Sequence, residues 1–283
     1  MPENKYTIRQ MTRDEIDVAI GWAALEGWNP GLYDAHCFHA ADPGGFLVGL
    51  VDGEPVATIS VVKYGADFGF LGFYIVKPAF RGKGYGLRLW KAGMEYLGNV
   101  TTGLDGVVER QDDYRKSGFA LAHRNIRYQG TGGIPAPNDL GIIGLQQVPF
   151  GKICTFDRLF FPAERKQFIK CWIRQPGCTS LGFVKDRVLR GYGVIRECRT
   201  GYKIGPLFAV NSETAEKLFM ALISGLPAGA AFFLDVPEVN RVAILLAENN
   251  KMQVVFETAR MYRGKAPELP MDKIFGVTSF ELG

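Results

Sequence analysis

One run, Tyr74 to Leu89, reads YIVKPAFRGKGYGLRL and restricts what this chain can become more than any other. An apolar strand gives way to a basic, glycine-studded turn, and the turn opens a helix carrying Leu87, Trp90, Met94 and Leu97 at helical spacing. Backbone N–H groups at a helix start have no partners inside the helix, and the helix dipole adds about half a positive charge there. Glycine lets an anion approach those amides because no Cβ intervenes. Gly82, Gly84 and Gly86 stand at alternate positions around Arg81 and Lys83, with Arg88 and Lys91 extending the positive charge. A nucleotide-triphosphate loop would end in Lys-Ser/Thr, which is missing. A dinucleotide fingerprint would place its third glycine where Leu87 stands. The pattern that fits is Arg81-x-x-Gly84-x-Gly86, a cradle for a pyrophosphate.

On these residues the sequence resembles the GNAT superfamily of N-acetyltransferases. VKPAFRGKGYG looks like that family's acetyl-coenzyme A loop, including the Pro78 that ends the strand. YRKSGF, Tyr114 to Phe119, looks like its second landmark. The resemblance covers roughly Tyr6 to Gly130. It implies cofactor contacts from Tyr74, Ile75 and Val76 along the pantetheine arm. For the pyrophosphate it implies Arg81, Gly82, Lys83, Gly84, Tyr85, Gly86 and Leu87. It also implies a gap between splayed strands for the thioester, Val76 N–H as oxyanion donor, and Tyr114 as general acid. The expected function is acetyl-CoA-dependent transfer of an acetyl group directly to a primary amine of a small molecule. The alternative is a non-catalytic acetyl-CoA-binding sensor or regulatory protein.

Such transfer needs a free amine. At pH 7 an alkyl amine of pKa about 10.4 is almost wholly protonated, which costs about 4 to 5 kcal/mol, so a carboxylate should take the proton. The strand FGFLGFYIV holds none, although many relatives of the resembled family place one there. Glu26 in EGWNPG and Asp105 in GLDGVV are candidates of equal rank, with Glu109 behind them. Trp28 and Asn29 fall in the segment that, by resemblance, walls the acceptor pocket. Val108 stands where relatives carry a cofactor-contacting Asn, and Gln111 is the nearest substitute.

The order strand, turn, helix, strand, helix, strand recurs after a Gly/Pro-rich stretch. The two series end in related phrases, RYQG (Arg127 to Gly130) and MYRG (Met261 to Gly264). This predicts an α/β (α+β) chain of two GNAT-like domains, each with a mixed, mostly antiparallel sheet flanked by helices. Residues 1–130 would bind acetyl-CoA, 131–149 would link, and 150–283 would form a degenerate copy shaping the substrate pocket or a homodimer. The second strand-to-helix turn, within GPLFAVNSETAEKLF, has no glycine and no base in its loop, and Glu213 and Glu216 at its helix start would repel pyrophosphate. Asn240 resembles the Asn missing from the first half. A helix is expected over Arg158 to Ile173.

The remaining features bound the partners. A net charge of +4 over 283 residues, without a long basic block, argues against nucleic acid. The polar start MPENKYTIRQ is no secretory signal, and no apolar run reaches the roughly 18 residues of a membrane span. Cys37, Cys154, Cys171, Cys178 and Cys198 form no C-x-x-C pair and read as reduced, buried thiols of a cytoplasmic protein. His36, Cys37 and His39 lack the second ligand pair that zinc requires, so no metal is expected.

Overall fold

The computed structural model describes residues 5–135, 137 and 139–283. The first half runs β1 (Tyr6–Gln10), α1 (Ile16–Leu25), α2 (Asp34–Ala41), β2 (Phe46–Val51), β3 (Glu54–Tyr64), β4 (Phe68–Val76), α3 (Tyr85–Leu97), β5 (Thr101–Val107), α4 (Gln111–Lys116) and β6 (Ala120–Thr131). The second runs β7 (Ile142–Gly144), α5 (Phe150–Asp157), α6 (Lys166–Trp172), β8 (Cys178–Lys185), β9 (Val188–Glu197), β10 (Tyr202–Ala209), α7 (Ser212–Ser224), β11 (Ala231–Pro237), α8 (Arg241–Asn249), β12 (Gln253–Arg263) and β13 (Ile274–Gly276). Local chemistry accounts for the main helices. Thr12 and Glu15 exchange side chain-to-amide bonds of 2.8 and 3.3 Å ahead of α1, a capping box. Helix α3 buries Leu89, Trp90, Gly93 and Leu97 on one face and stops at Gly98, whose φ is 65°.

The strands form one sheet in the order β1-β2-β3-β4-β5-β12-β6-β11-β10-β9-β8-β7, with β13 added to β10. Most pairs are antiparallel, and β4–β5 and β10–β11 are parallel. The two halves exchange strands. β6 pairs with β11 of the second half, β12 pairs with β5 of the first, and β6 and β12 lie side by side. The related phrases noted in the sequence therefore sit on neighbouring strands. Each exchanged strand covers an edge that the other half would leave open. The core also crosses between the halves: Phe38 on α2 packs on Trp172 of α6 and on Phe73 of β4, with ring centroids 5.9 and 5.7 Å apart.

Three expectations change. Of the helix expected over Arg158 to Ile173 only Lys166–Trp172 (α6) is helical; α5 ends at Asp157, and Pro162 lies in the non-helical stretch between them. Buried Arg165 grips Asp157 through two bonds of 2.8 and 2.9 Å and folds the chain back. The stretch 131–149 contains β7, which pairs with β8, and Ala136 and Asn138 in it lie outside the described residues. The cysteines are not all reduced. Cys37 and Cys171 are joined as a disulfide, with Cα atoms 5.2 Å apart, because α2 and α6 pack against each other. Cys154 and Cys178 are free and partly exposed, and Cys198 is free and buried.

Candidate active site

Strands β4 and β5 pair from Phe68 with Thr101 to Leu71 with Leu104, and then part. The parting coincides with a bulge. The β3–β4 register shifts between Thr58 and Ser60, and Phe73 takes a left-handed φ of 46°. Thr58 Oγ1 donates to Phe73 O at 2.9 Å and pins the distortion. Beyond it, Lys77 N bonds Val56 O at 2.9 Å, so alternation turns the N–H of Val76 away from β3 and toward the gap. The gap opens into a cleft of about 850 Å³.

The glycine turn forms one end of this cleft. Gly82 and Gly84 have φ of 75° and 82°, and a Cβ on either would meet open space. Their conformation calls for glycine, and their surroundings leave room for a ligand. Gly86 is required by contact instead, since a Cβ there would sit 2.7 Å from Tyr74 Oη and 2.9 Å from Val76 Cγ2. The first intrahelical bond is Arg88 N to Gly84 O, so the amides of Tyr85, Gly86 and Leu87 remain unpaired by the helix. Tyr74, Ile75, Val76, Arg81, Gly82, Gly84, Gly86 and Leu87 line the cleft. Lys83 and Tyr85 do not. Lys83 lies over the Phe80 ring, and Tyr85 stacks on Tyr6 at 4.7 Å.

Tyr114 stands across the cleft on α4. Its ring stacks 6.0 Å from Trp90 and covers Gly106, where a Cβ would collide with it. Burial pushes its hydroxyl up to about 12, so it stays protonated at neutral pH. The proposed proton acceptors fare differently. Asp105 lines the cleft, but its side chain is wholly buried and accepts from Arg260 Nε at 2.8 Å, Arg260 Nη2 at 2.6 Å and Asn125 Nδ2 at 2.8 Å. Burial pushes its pKa up against that pairing, and the pairing occupies its oxygens. Glu26 lines the cleft but is held by Arg81, whose Nε also donates to Val76 O at 2.8 Å. It steadies the turn. Glu109 is exposed at the mouth.

Trp28 lines the cleft, whereas Asn29 is committed elsewhere. Its side chain exchanges two 2.9 Å bonds with the Thr200 backbone, and its carbonyl accepts from buried Lys203 Nζ at 2.8 Å.

One part of the cleft lining escaped the sequence reading. After β13 the chain enters the base of the first gap, where Tyr64 Oη donates to Leu282 O at 3.0 Å. Gly72 lacks a Cβ at the point where Glu281 O touches β4. Phe280 and Glu281 both face the cleft. Glu281 is 3% exposed, and burial pushes its carboxyl up. Gly72, an unexplained glycine in an apolar strand, was the one trace of this close approach in the sequence.

The equivalent gap in the second half is filled. β10 and β11 pair only from Tyr202 to Ile204, and β13 then occupies the space beside Leu207 and Phe208. Asn240, which resembled a cofactor contact, caps α8 and donates to Ile274 O of β13 at 2.9 Å. Asn211 caps α7 by accepting from Thr214 N at 2.9 Å, and Glu213 pairs with Lys217.

Comparison with known proteins agrees with this duplicated geometry. Residues 10–119 match the model of the acetyltransferase (GNAT) family, and residues 153–276 match that of an acetyltransferase (GNAT) domain. A holothin acyltransferase from a Pseudoalteromonas species is 33% identical, over 98% of this chain and 95% of that protein. The chain belongs to the GNAT family. This GNAT protein is a tandem member and an acyltransferase. It shares its fold with a Pyrococcus horikoshii protein bearing an acetyltransferase name (TM-score 0.84, 23% identity, 100% of this chain and 98% of that one). It is also similar to a tandem GNAT protein from the clavulanic acid biosynthesis pathway (TM-score 0.61, 12% identity, 93% of this chain and 100% of that one).

Proposed function

We propose that this GNAT protein transfers an acetyl group from acetyl-CoA directly to a primary amine of a small molecule. The observation that carries this reading is one continuous cleft. It joins the unpaired amides that start α3, the inward N–H of Val76 and the hydroxyl of Tyr114. The residues present fit acetyl-CoA: open space over Gly82 and Gly84 admits a pyrophosphate, and the parted strands admit an extended arm. When bound, acetyl-CoA supplies the activated acyl group. The aromatic wall of Trp28, Phe256 and Phe280 suits an acceptor with an apolar body.

Each residue acts on charge. Val76 N–H stabilises the oxyanion as the thioester carbonyl is attacked. Tyr114 hydrogen-bonds the departing sulfur. Full proton transfer from a hydroxyl at about 12 to a thiolate of ordinary pKa, about 8.5, is uphill by about 5 kcal/mol. Tyr114 therefore acts mainly by hydrogen bonding. Residues 1–130 supply most of the site, and residues 150–283 form the copy that has lost its own.

The test is thiol release from acetyl-CoA across a panel of amines, beside a direct measurement of acetyl-CoA affinity. Amine-dependent release is expected. Tight binding with no release on any amine would instead assign the protein as an acetyl-CoA sensor.

A further inference from the structure

We infer that Glu281, delivered from the second half, is the proton acceptor for the amine. This rests on the acetyl-transfer reading above. Of the candidates nearest in sequence, Asp105 is engaged by three hydrogen-bond donors and Glu26 by Arg81, and Glu109 is exposed to solvent at the mouth. Glu281 is a residue more than nine-tenths buried that lines the same cleft as Tyr114, and no described residue donates a hydrogen bond to its carboxylate. Its place is built. Ser279 accepts from Gly283 N through its carbonyl and from Leu282 N through its hydroxyl, Tyr64 holds Leu282, and Gly72 makes room at the point where β4 and β5 separate.

The charged groups facing it come from four other elements. Lys203 is on β10, Asp34 on α2, Arg127 on β6 and Arg196 on β9. Arg196 is paired bidentately with Asp34 and Arg127 with Asp235, and Lys203 is turned to Asn29 O. The nearby cations thus donate to other groups, with Arg196 Nη1 alone unpaired, and none of them donates to Glu281. Burial pushes its pKa up, which brings a carboxylate nearer to the basicity that proton removal needs.

The step balances as follows. Glu281 accepts one proton from the substrate ammonium. The freed lone pair forms the C–N bond to the thioester carbon, and the C–S bond breaks with its electron pair passing to sulfur. The amide nitrogen loses a second proton, which ends on sulfur, and Glu281 returns the first to solvent.

The test compares wild type, Glu281→Gln and Glu281→Asp between pH 5 and 9, reading kcat, KM, acetyl-CoA affinity and thermal midpoint. For Glu281→Gln, kcat on an alkyl amine should fall at least about 100-fold, with acetyl-CoA affinity and thermal midpoint retained. The acidic limb of the rate profile should vanish, a weakly basic aromatic amine should lose less than an alkyl amine, and Glu281→Asp should recover part of the rate. An unchanged kcat and acidic limb would overturn the assignment, as would a loss of rate that tracks a loss of stability with the limb intact. Wild type that binds acetyl-CoA but acetylates no amine would remove the underlying reading instead.

Discussion

Arg127 and Asp235 face each other across neighbouring strands β6 and β11 as a two-pronged ion pair, Nε to Oδ1 at 2.6 Å and Nη2 to Oδ2 at 2.8 Å. The same guanidinium donates to Trp28 O at 2.8 Å and lies 4.7 Å under the Phe280 ring. One side chain thus ties together both halves and two walls of the cleft.

Breaking that pair from one side should be costly. Arg127→Met leaves a buried carboxylate unpaired and should destabilise the protein by about 3–5 kcal/mol, with Arg127→Met/Asp235→Leu recovering much of the loss in urea unfolding. Burial alone would raise the Asp235 pKa, but Arg127 and Lys203 hold it below the usual value. A lowered folded pKa means the unfolded chain binds more protons in this window. The pair's contribution is therefore complete above about pH 4, the ordinary carboxylate value, and should fade as pH drops through the folded pKa. A pair contribution that grew on acidification would contradict the assignment.

Tyr114→Phe should separate chemistry from binding. The hydroxyl makes no hydrogen bond with a described residue, so its removal should change stability by less than about 0.5 kcal/mol. Acetyl-CoA affinity should hold, while kcat should drop about 100-fold or more. With the hydroxyl pushed up to about 12, wild type should show no loss of activity from Tyr114 ionisation up to pH 10. Steady-state kinetics paired with calorimetry would check both points.

At Gly84 the size and the charge of a substituent should have different effects. Gly84→Ala meets no atom but must adopt φ of 82°, costing about 1–2 kcal/mol of stability. Its Cβ enters the space proposed for the pyrophosphate, so cofactor affinity should fall as well. Gly84→Glu adds the same strain plus an anion at the helix start and should weaken acetyl-CoA binding by far more. Equal affinities for the two variants would argue against pyrophosphate at this turn.

The Cys37–Cys171 bond closes a span of 134 residues. Chain-entropy reasoning allows up to about 5 kcal/mol for such a closure. Reductant should lower the thermal midpoint of wild type and leave that of Cys37→Ala/Cys171→Ala unmoved. Mass spectrometry after thiol alkylation of the denatured chain should find three modified cysteines before reduction and five after.

The glycine turn, the helix it opens, β4, and Tyr114 ahead of Gly118-Phe119 were legible in the sequence, because each depends on residues close along the chain. Consecutive amides, dipole, glycine φ and hydrophobic period are local properties. They marked the turn that forms one end of the cleft before any strand was paired. Asp105 shows the limit of that reading: its type and place suited a base, but Arg260, 155 positions away, holds it.

The amino-acid sequence by itself determined two GNAT-like series and a basic glycine turn in the first alone, since those follow from short-range backbone chemistry. Tertiary structure decided the rest. The exchange of β6 and β12, the filling of the second gap by β13, the disulfide and the arrival of Glu281 beside Gly72 all join residues tens to hundreds of positions apart. Such contacts are chosen by how sheet edges and buried charges find partners, and no local pattern encodes them.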